Sequence, residues 1–264
     1  MNLSAPRGTQ DILPEAIPAW RKLEDALRTV FGRFGYEEVR VPIFEQTRLF
    51  NRAVGDATDI VEKEMFTFST GGADDEGDTL SLRPELTAGV VRALVEHNTL
   101  SNNPFVKLWY AGPAFRKERP QKGRFRQFHQ FGVEAIGSND PLVDVETLLA
   151  LTSILKEVGV TGYEIHLNSI GCASCRPAYR ETLKKAAEPT LGERCGNCKA
   201  RFGRNVLRLL DCKVEHDREL SRAMPGMVDL LCADCRAHFD RVQAALAAEG
   251  VAYTLDKLLV RGLD

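Results

Sequence analysis

Phe115-Arg116-Lys117-Glu118-Arg119-Pro120-Gln121-Lys122-Gly123-Arg124-Phe125-Arg126-Gln127-Phe128-His129-Gln130-Phe131-Gly132-Val133-Glu134 is the stretch on which the reading of this chain turns. Two strand-like arms flank a basic loop that carries Arg119, Lys122 and Arg124. Side chains of a strand alternate between faces. On the second arm Arg126, Phe128, Gln130 and Glu134 therefore share one face, with Gly132 among them, and Gln127, His129, Phe131 and Val133 share the other. On the first arm Arg116 and Glu118 share a face. Burying such a face as ordinary core would leave charges unpaired at high cost. The face is either solvated or wrapped around a polar ligand. Arginine forks suit phosphate oxygens and an exposed ring suits an adenine base. Gly132 leaves room for a ligand to approach the backbone. Alternation alone leaves the nucleotide site and the solvated strand both open.

Upstream, Trp20, Leu23, Leu27, Val30, Phe31 and Phe34 recur at helical spacing with charges between them, and Gly35 ends the helix. Glu37 to Phe44 reads as a strand with Val39, Val41 and Ile43 on one face; Pro42 inside it predicts an edge or interface strand. Phe66-Thr67-Phe68 and Leu80-Ser81-Leu82 form a hairpin around the acidic stretch 71–78, which reads as a solvated loop before a cation site. Thr87 to His97 and Leu142 to Leu155 read as helices, and Val106 to Tyr110 and Tyr163 to Leu167 as strands. Tyr253 to Asp264 is again strand-like. Mostly antiparallel strands with helices packed against them give the α+β class.

The chain has 264 residues, 44% hydrophobic and 27% charged, with a formal charge of −2. These are values of an ordinary globular protein, and the balance does not announce nucleic acid. No apolar run approaches the roughly 18–20 residues that span a bilayer, and the N-terminus has no signal-peptide core. The expectation is a cytoplasmic protein without membrane attachment.

All seven cysteines lie between Cys172 and Cys235. In a reducing compartment they suggest metal or structural thiols before disulfides. Cys172-x2-Cys175 and Cys195-x2-Cys198, separated by 19 residues, fit a zinc pattern, and Cys232-x2-Cys235 is a third pair. Six paired cysteines exceed one mononuclear site, so which four bind stays open. Reduced buried thiols and redox dithiols are the alternatives. Cys212 stands alone, and His166, His216 and His238 read as ordinary histidines near the cluster. The change of texture marks 171–249 as an inserted domain between segments 1–170 and 250–264 of a core.

The Arg116 to Glu134 hairpin resembles motif 2 of class II aminoacyl-tRNA synthetases, and within them the histidyl-tRNA synthetase family. Arg7-Gly8-Thr9-Gln10-Asp11, Val61-Glu62-Lys63-Glu64-Met65 and Leu82-Arg83-Pro84-Glu85-Leu86-Thr87-Ala88-Gly89 also resemble that family, and Arg261-Gly262-Leu263-Asp264 looks like the opening of its histidine-specific motif. The resemblance implies a class II antiparallel sheet flanked by helices, histidine and ATP with Mg²⁺ as substrates, tRNA(His) as acceptor, and a homodimer built on Trp20 to Glu45. It implies that Arg116 and Arg261 grip the α-phosphate as catalytic residues. Glu118, Arg124 and Phe128 would join Arg116 in binding ATP. Glu85, Thr87, Gln130 and Glu134 would bind histidine, with Arg116 and Arg261 alongside. Singly these residues have plainer readings: Phe128 as packing, Thr87 as a helix N-cap, Glu85 as a surface carboxylate, Arg261 as an ion-pair partner. Leu86 stands where the family pattern has glycine, and either crowds the histidine pocket or repacks beside it. The family continues beyond Asp264 with motif 3 and an anticodon-binding domain, so residues 1–264 alone are expected not to charge tRNA. Two other readings are kept: the regulatory subunit of ATP phosphoribosyltransferase, a histidine-sensing relative, and a zinc-stapled interaction module.

Overall fold

The computed structural model describes residues 3–54, 64–71 and 79–260. The chain forms two compact units, one of residues 1–139 with 146–160, the other of residues 140–145 with 161–264.

In the first unit, helix α1 (Ile17–Arg33) leads through Gly35, at φ +74°, into strand β1 (Glu37–Glu38). Then follow β2 (Phe44–Gln46), α2 (Thr47–Val54), β3 (Thr67–Ser69), β4 (Thr79–Leu82), α3 (Thr87–Glu96), α4 (Thr99–Asn102), β5 (Val106–Phe115), β6 (Gln127–Ile136) and α5 (Pro141–Val158), of which the part from Glu146 on belongs to this unit. One sheet has the order β1-β5-β6, with β1 parallel to β5 and the long β5–β6 pair antiparallel; a second has the order β2-β4-β3.

The β5–β6 pair is continuous from Val106↔Ile136 to Phe115↔Gln127. Directly paired residues project to the same face, so the two faces follow from register. One face carries Trp109, Phe131, Val133 and Ala135 against Leu27, Val30 and Phe31 of α1 and Ala150 and Ile154 of α5. The other carries Leu108, Tyr110, Gly112 and Ala114 beside Glu134, Gly132, Gln130 and Phe128. Apolar residues at i, i+3 and i+4 on α1 supply the stripe that covers the first face; the start of α3, through Leu86 and Val90, covers part of the second.

The expected strand from Glu37 to Phe44 is broken in two. The backbone pairs with β5 only as far as Val39, whose N–H reaches the Trp109 carbonyl, and resumes pairing with β4 at Phe44. The break has a cause. Pro42 has no N–H to donate, and the carbonyls of Val41 and Pro42 both accept from Nη1 of buried Arg83, at 2.7 and 3.1 Å. Arg83 Nε also donates to the Pro113 carbonyl at 2.8 Å, so one guanidinium ties the break to β5. The hairpin expected around Phe66–Leu82 is present as β3 and β4. Its acidic tip, 72–78, and the resembling residues 61–63 lie outside the described residues.

In the second unit β7 (His166–Leu167) pairs in parallel with β8 (Thr254–Leu255). Between them lie α6 (Cys175–Ala187), α7 (Gly196–Phe202), α8 (Glu215–Arg222) and α9 (Ala233–Ala248) with three 3₁₀ turns. Their core gathers Tyr179, Leu183, Val206, Leu207, Leu209 and Met227 together with the cysteines. Among the described residues no helix is long and apolar enough to cross a membrane.

Candidate active site and thiol clusters

The polar face of β6 runs from Phe128 to Glu134, about 20 Å at a strand rise of about 3.3 Å per residue. At its Phe128 end Arg116 lies over the ring, 5.0 Å from the centroid. Its Nε donates to the Pro84 carbonyl at 3.0 Å, which fixes the guanidinium. Glu118 bridges two cations, 4.0 Å from Arg116 and 3.1 Å from Arg124. Phe128 also packs against the Leu86–Ala114 cluster, so packing and stacking are combined in one ring. The N-terminal segment joins this end: the Gly8 carbonyl accepts from the N–H groups of Arg126 and Gln127, at 2.7 and 3.2 Å. Gly8 has φ +89°, and a Cβ there would lie 2.8 Å from Arg126 Cγ, so glycine is required.

At the other end Thr87 Oγ1 and Tyr110 Oη lie 3.1 Å apart, and Tyr110 Oη donates to Glu134 Oε1 at 3.1 Å. Burial pushes the Tyr110 phenol up to about 12, which keeps it a donor at neutral pH. Burial also raises the Glu134 carboxyl, opposed by hydrogen bonds from Thr87 and Tyr110 and reinforced by the charge of Glu85. Glu85 Oε1 accepts from the Ala88 N–H at 2.9 Å. Thr87 is thus not the cap of α3: it is the first helical residue, its hydroxyl faces Tyr110, and Glu85 satisfies the free amide. Leu86 is buried against Val90, Tyr110 and Ala114, which settles that it repacks into the core.

Between the two ends lies Gln130. Its Oε1 is buried without a hydrogen-bond partner. A buried unpaired acceptor costs about 1–3 kcal/mol, so such an atom on a polar face marks a place where a donor from outside belongs. Gly132 was expected to admit a ligand to the backbone. It admits a side chain instead: a Cβ there would meet Tyr110 Oη at 2.5 Å, so the Tyr110 ring occupies that space. Tyr110 and Arg83 were not singled out from the sequence. Tyr110 was discoverable, because pairing it with the lone glycine of the opposite strand puts it on the polar face. Arg261 lies outside the described residues.

In the second unit the thiols form two groups, and not the pairing the spacing favoured. Cys172, Cys175, Cys232 and Cys235 converge, as do Cys195, Cys198, Cys212 and Asp217; within each group all ligand atoms lie within 4.8 Å of one another. The first and third Cys-x2-Cys pairs meet because α6 and α9 begin side by side: the Cys232 N–H donates to Cys175 Sγ at 3.2 Å. Cys172 and Cys175 sulfurs are 3.5 Å apart and Cys172 and Cys232 4.0 Å, far beyond a disulfide bond. The backbone N–H groups of Cys175 and Ser174 pull the Cys172 thiol down to about 6, into the range where it ionises readily. The histidines take no part: His166 pairs with Asp256 and Glu164, His238 with Asp144, and His216 is exposed.

An antiparallel hairpin with an arginine over an aromatic ring at one end, and a carboxylate–phenol–hydroxyl chain at the other, is chemically suited to a nucleotide and a small polar molecule. Comparison with known proteins sharpens this reading. The family model described as histidyl-tRNA synthetase matches residues 8–187, and the chain belongs to that family. It is 53% identical to the histidine–tRNA ligase of Moorella thermoacetica, over 100% of this chain and 62% of that protein. It is 49% identical to the corresponding ligase of Desulforamulus reducens, again over 62% of that protein. The apo histidyl-tRNA synthetase of S. aureus superposes with a TM-score of 0.76 at 37% identity, covering 100% of this chain and 59% of that one. The chain thus spans about three fifths of the length of these relatives.

Proposed function

We propose that this chain supplies the histidine- and ATP-binding portion of a histidine–tRNA ligase, which activates L-histidine to histidyl-adenylate and transfers it to tRNA(His). The observation that carries the reading is the single strand face with Arg116 stacked on Phe128 at one end and the unpaired Gln130 Oε1 beside the Glu134–Tyr110 pair at the other. In this reading Phe128 stacks on adenine, and Glu118 and Arg124 hold the base and terminal phosphates. Glu85, Thr87 and Gln130 hold the histidine amino group, which donates to the waiting amide oxygen, and Glu134 faces the imidazole.

The histidine carboxylate attacks the α-phosphorus of MgATP in line, forming the acyl–phosphate bond as the bond to pyrophosphate breaks. Negative charge grows on the α-phosphoryl oxygens. Arg116, already fixed by the Pro84 carbonyl, meets that charge without reorganisation. The magnesium ion arrives with the nucleotide and screens the departing pyrophosphate. The tRNA terminal ribose hydroxyl then attacks the adenylate carbonyl and AMP leaves. Positioning and charge complementarity suffice, with no side-chain nucleophile.

The same reading makes the assembly a cytoplasmic homodimer through α1 and β1. It makes 171–249 an insertion between catalytic segments 1–170 and 250–264, supported by the pairing of β7 with β8 across its ends. Cys172, Cys175, Cys232 and Cys235 fit a structural tetrathiolate zinc staple for that insertion, since four sulfurs and N–H···S bonds suit Zn²⁺. The regulatory-subunit reading would keep the histidine end and leave the Arg116, Glu118, Arg124 and Phe128 cluster without a task, so the ligase is favoured. The deciding experiment is histidine-dependent exchange of labelled pyrophosphate into ATP, with residues 1–264 placed in a protein of the relatives' full length. Exchange with histidine and no other amino acid supports the ligase; histidine binding without exchange moves the assignment to the sensing relative.

A further inference from the structure

We propose that the second unit holds two zinc ions, the second bound by three thiolates and one carboxylate: Cys195, Cys198, Cys212 and Asp217. This goes beyond the tetrathiolate staple and stands on its own residues. The four donors come from three segments: Cys195 and Cys198 at the start of α7, Cys212 after a 3₁₀ turn, and Asp217 in the first turn of α8. Tetrahedral geometry with Zn–S of about 2.3 Å and Zn–O of about 2.1 Å requires sulfurs about 3.8 Å apart and sulfur–oxygen distances of about 3.6 Å. Cys195 and Cys212 sulfurs are 3.8 Å apart, and Cys212 Sγ is 3.5 Å from Asp217 Oδ2. Asp217 is 1% exposed. Its carboxylate accepts from the Cys195 N–H at 3.1 and 3.2 Å, an outer contact of the kind that orients a metal-binding carboxylate.

Arg194 is the independent witness. It is 2% exposed, next in sequence to Cys195, and among the described residues its guanidinium donates to neutral groups: the Thr190 and Ser221 hydroxyls, the Asp217 carbonyl and the Met224 sulfur. A buried cation needs a counter-charge. Three thiolates and a carboxylate around a divalent ion leave a surplus of negative charge beside Arg194. Neutral thiols would leave only the Asp217 carboxylate, whose oxygens are turned to Cys195 and Cys212. The surrounding segment 194–222 has a small apolar core of its own, Val206, Leu207, Leu209 and Leu210 with Phe202 partly buried, and a metal would tie its three pieces together.

The test is metal content and thiol protection of the 264-residue chain, produced with zinc in the medium. Two zinc per chain are expected. In the unsubstituted protein, Cys195, Cys198 and Cys212 should resist alkylation until a chelator is added, as should the four thiols of the tetrathiolate group. Asp217→Asn and Cys212→Ser should each lower the content from two to one and expose the second set of thiols alone; Cys232→Ser should lower it to one and expose the first set. Cobalt(II) added to metal-free protein should saturate at two equivalents, one bearing three thiolate charge-transfer contributions. One zinc with only Cys172, Cys175, Cys232 and Cys235 protected overturns the second site and leaves the first standing. No zinc, with all seven thiols alkylated freely, overturns both. Two zinc retained by Asp217→Asn, with Cys195, Cys198 and Cys212 still protected, overturns the carboxylate ligand, and stoichiometric iron in either group overturns the zinc assignment.

Discussion

Gly132→Ala should destabilise the first unit, and the size of the effect follows from one contact. A methyl at position 132 would lie 2.5 Å from Tyr110 Oη, 2.7 Å from Cζ and 3.0 Å from Cε2. Ordinary contact is about 3.5 Å or more, so the ring must withdraw by about 1 Å. It has nowhere to go. Tyr110 is 3% exposed, packed with Leu86, Val90 and Ala114, and bonded to Thr87 and Glu134. Overpacking of this kind costs about 1–3 kcal/mol, and each weakened hydrogen bond adds up to about 1 kcal/mol. Against this, alanine lowers the entropy of the unfolded chain, worth about 0.4–1 kcal/mol where its conformation fits. The net expectation is a loss of about 1–3 kcal/mol. Urea unfolding followed by tryptophan fluorescence measures it selectively, because both tryptophans, Trp20 and Trp109, belong to the first unit. The same substitution in a Tyr110→Ala background should be neutral or slightly stabilising, since the obstructing ring is gone. Equal cost in both backgrounds, or none in either, would refute the argument that Gly132 is there to seat Tyr110.

Arg116→Lys loses both the bond to the Pro84 carbonyl and the guanidinium contact over the Phe128 ring, and adenylate formation should fall on the order of 10²–10³; pyrophosphate exchange at wild-type levels would exclude Arg116 from the reaction. Gln130→Met removes a buried acceptor that has no partner, so thermal stability without ligand should hold or rise while the dissociation constant for histidine increases at least about tenfold. A variant that melts earlier yet binds histidine normally would contradict this. Glu134→Gln gives a pH signature. The folded-state pKa of Glu134 is raised, so its contribution to wild-type stability is present below the ordinary value of 4.5 and is lost as pH rises through the raised value. The glutamine variant should therefore gain on the wild type across that interval in paired urea titrations, and a gap that is constant with pH would show the carboxyl to be unperturbed.

The hairpin was the most legible part of the sequence, because its alternation puts Phe131 and Val133 on one face and Gln130 and Glu134 on the other. Helix α1 was legible for the same reason at a different period. The strand expected from Glu37 to Phe44 failed on Pro42. Its apolar residues alternate correctly, but what ends the pairing is a guanidinium arriving from Arg83, and alternation carries no information about a partner 41 residues away. The plainer reading of Thr87 as a cap does not hold, although a hydroxyl at a helix start usually caps: here Tyr110 engages the hydroxyl and Glu85 takes the amide. The cysteine pairs were visible and their partners were not. Spacing favours neighbours in sequence, whereas the fold joins the first pair to the third, and nothing local distinguishes Asp217 from the other carboxylates of the second unit.

The two-faced β5–β6 pair makes tolerance to length change uneven along this chain. Residues 117–125 join the strands outside the continuous ladder, so an added or lost residue there leaves both faces in phase. One residue inserted inside β6 inverts every side chain beyond it. An insertion just after Phe128 would turn Gln130 and Glu134 toward α1 and send Phe131 and Val133 to the polar side, so a frame-preserving indel of one codon would erase the core and the candidate site together. Selection on either one alone holds the other in place.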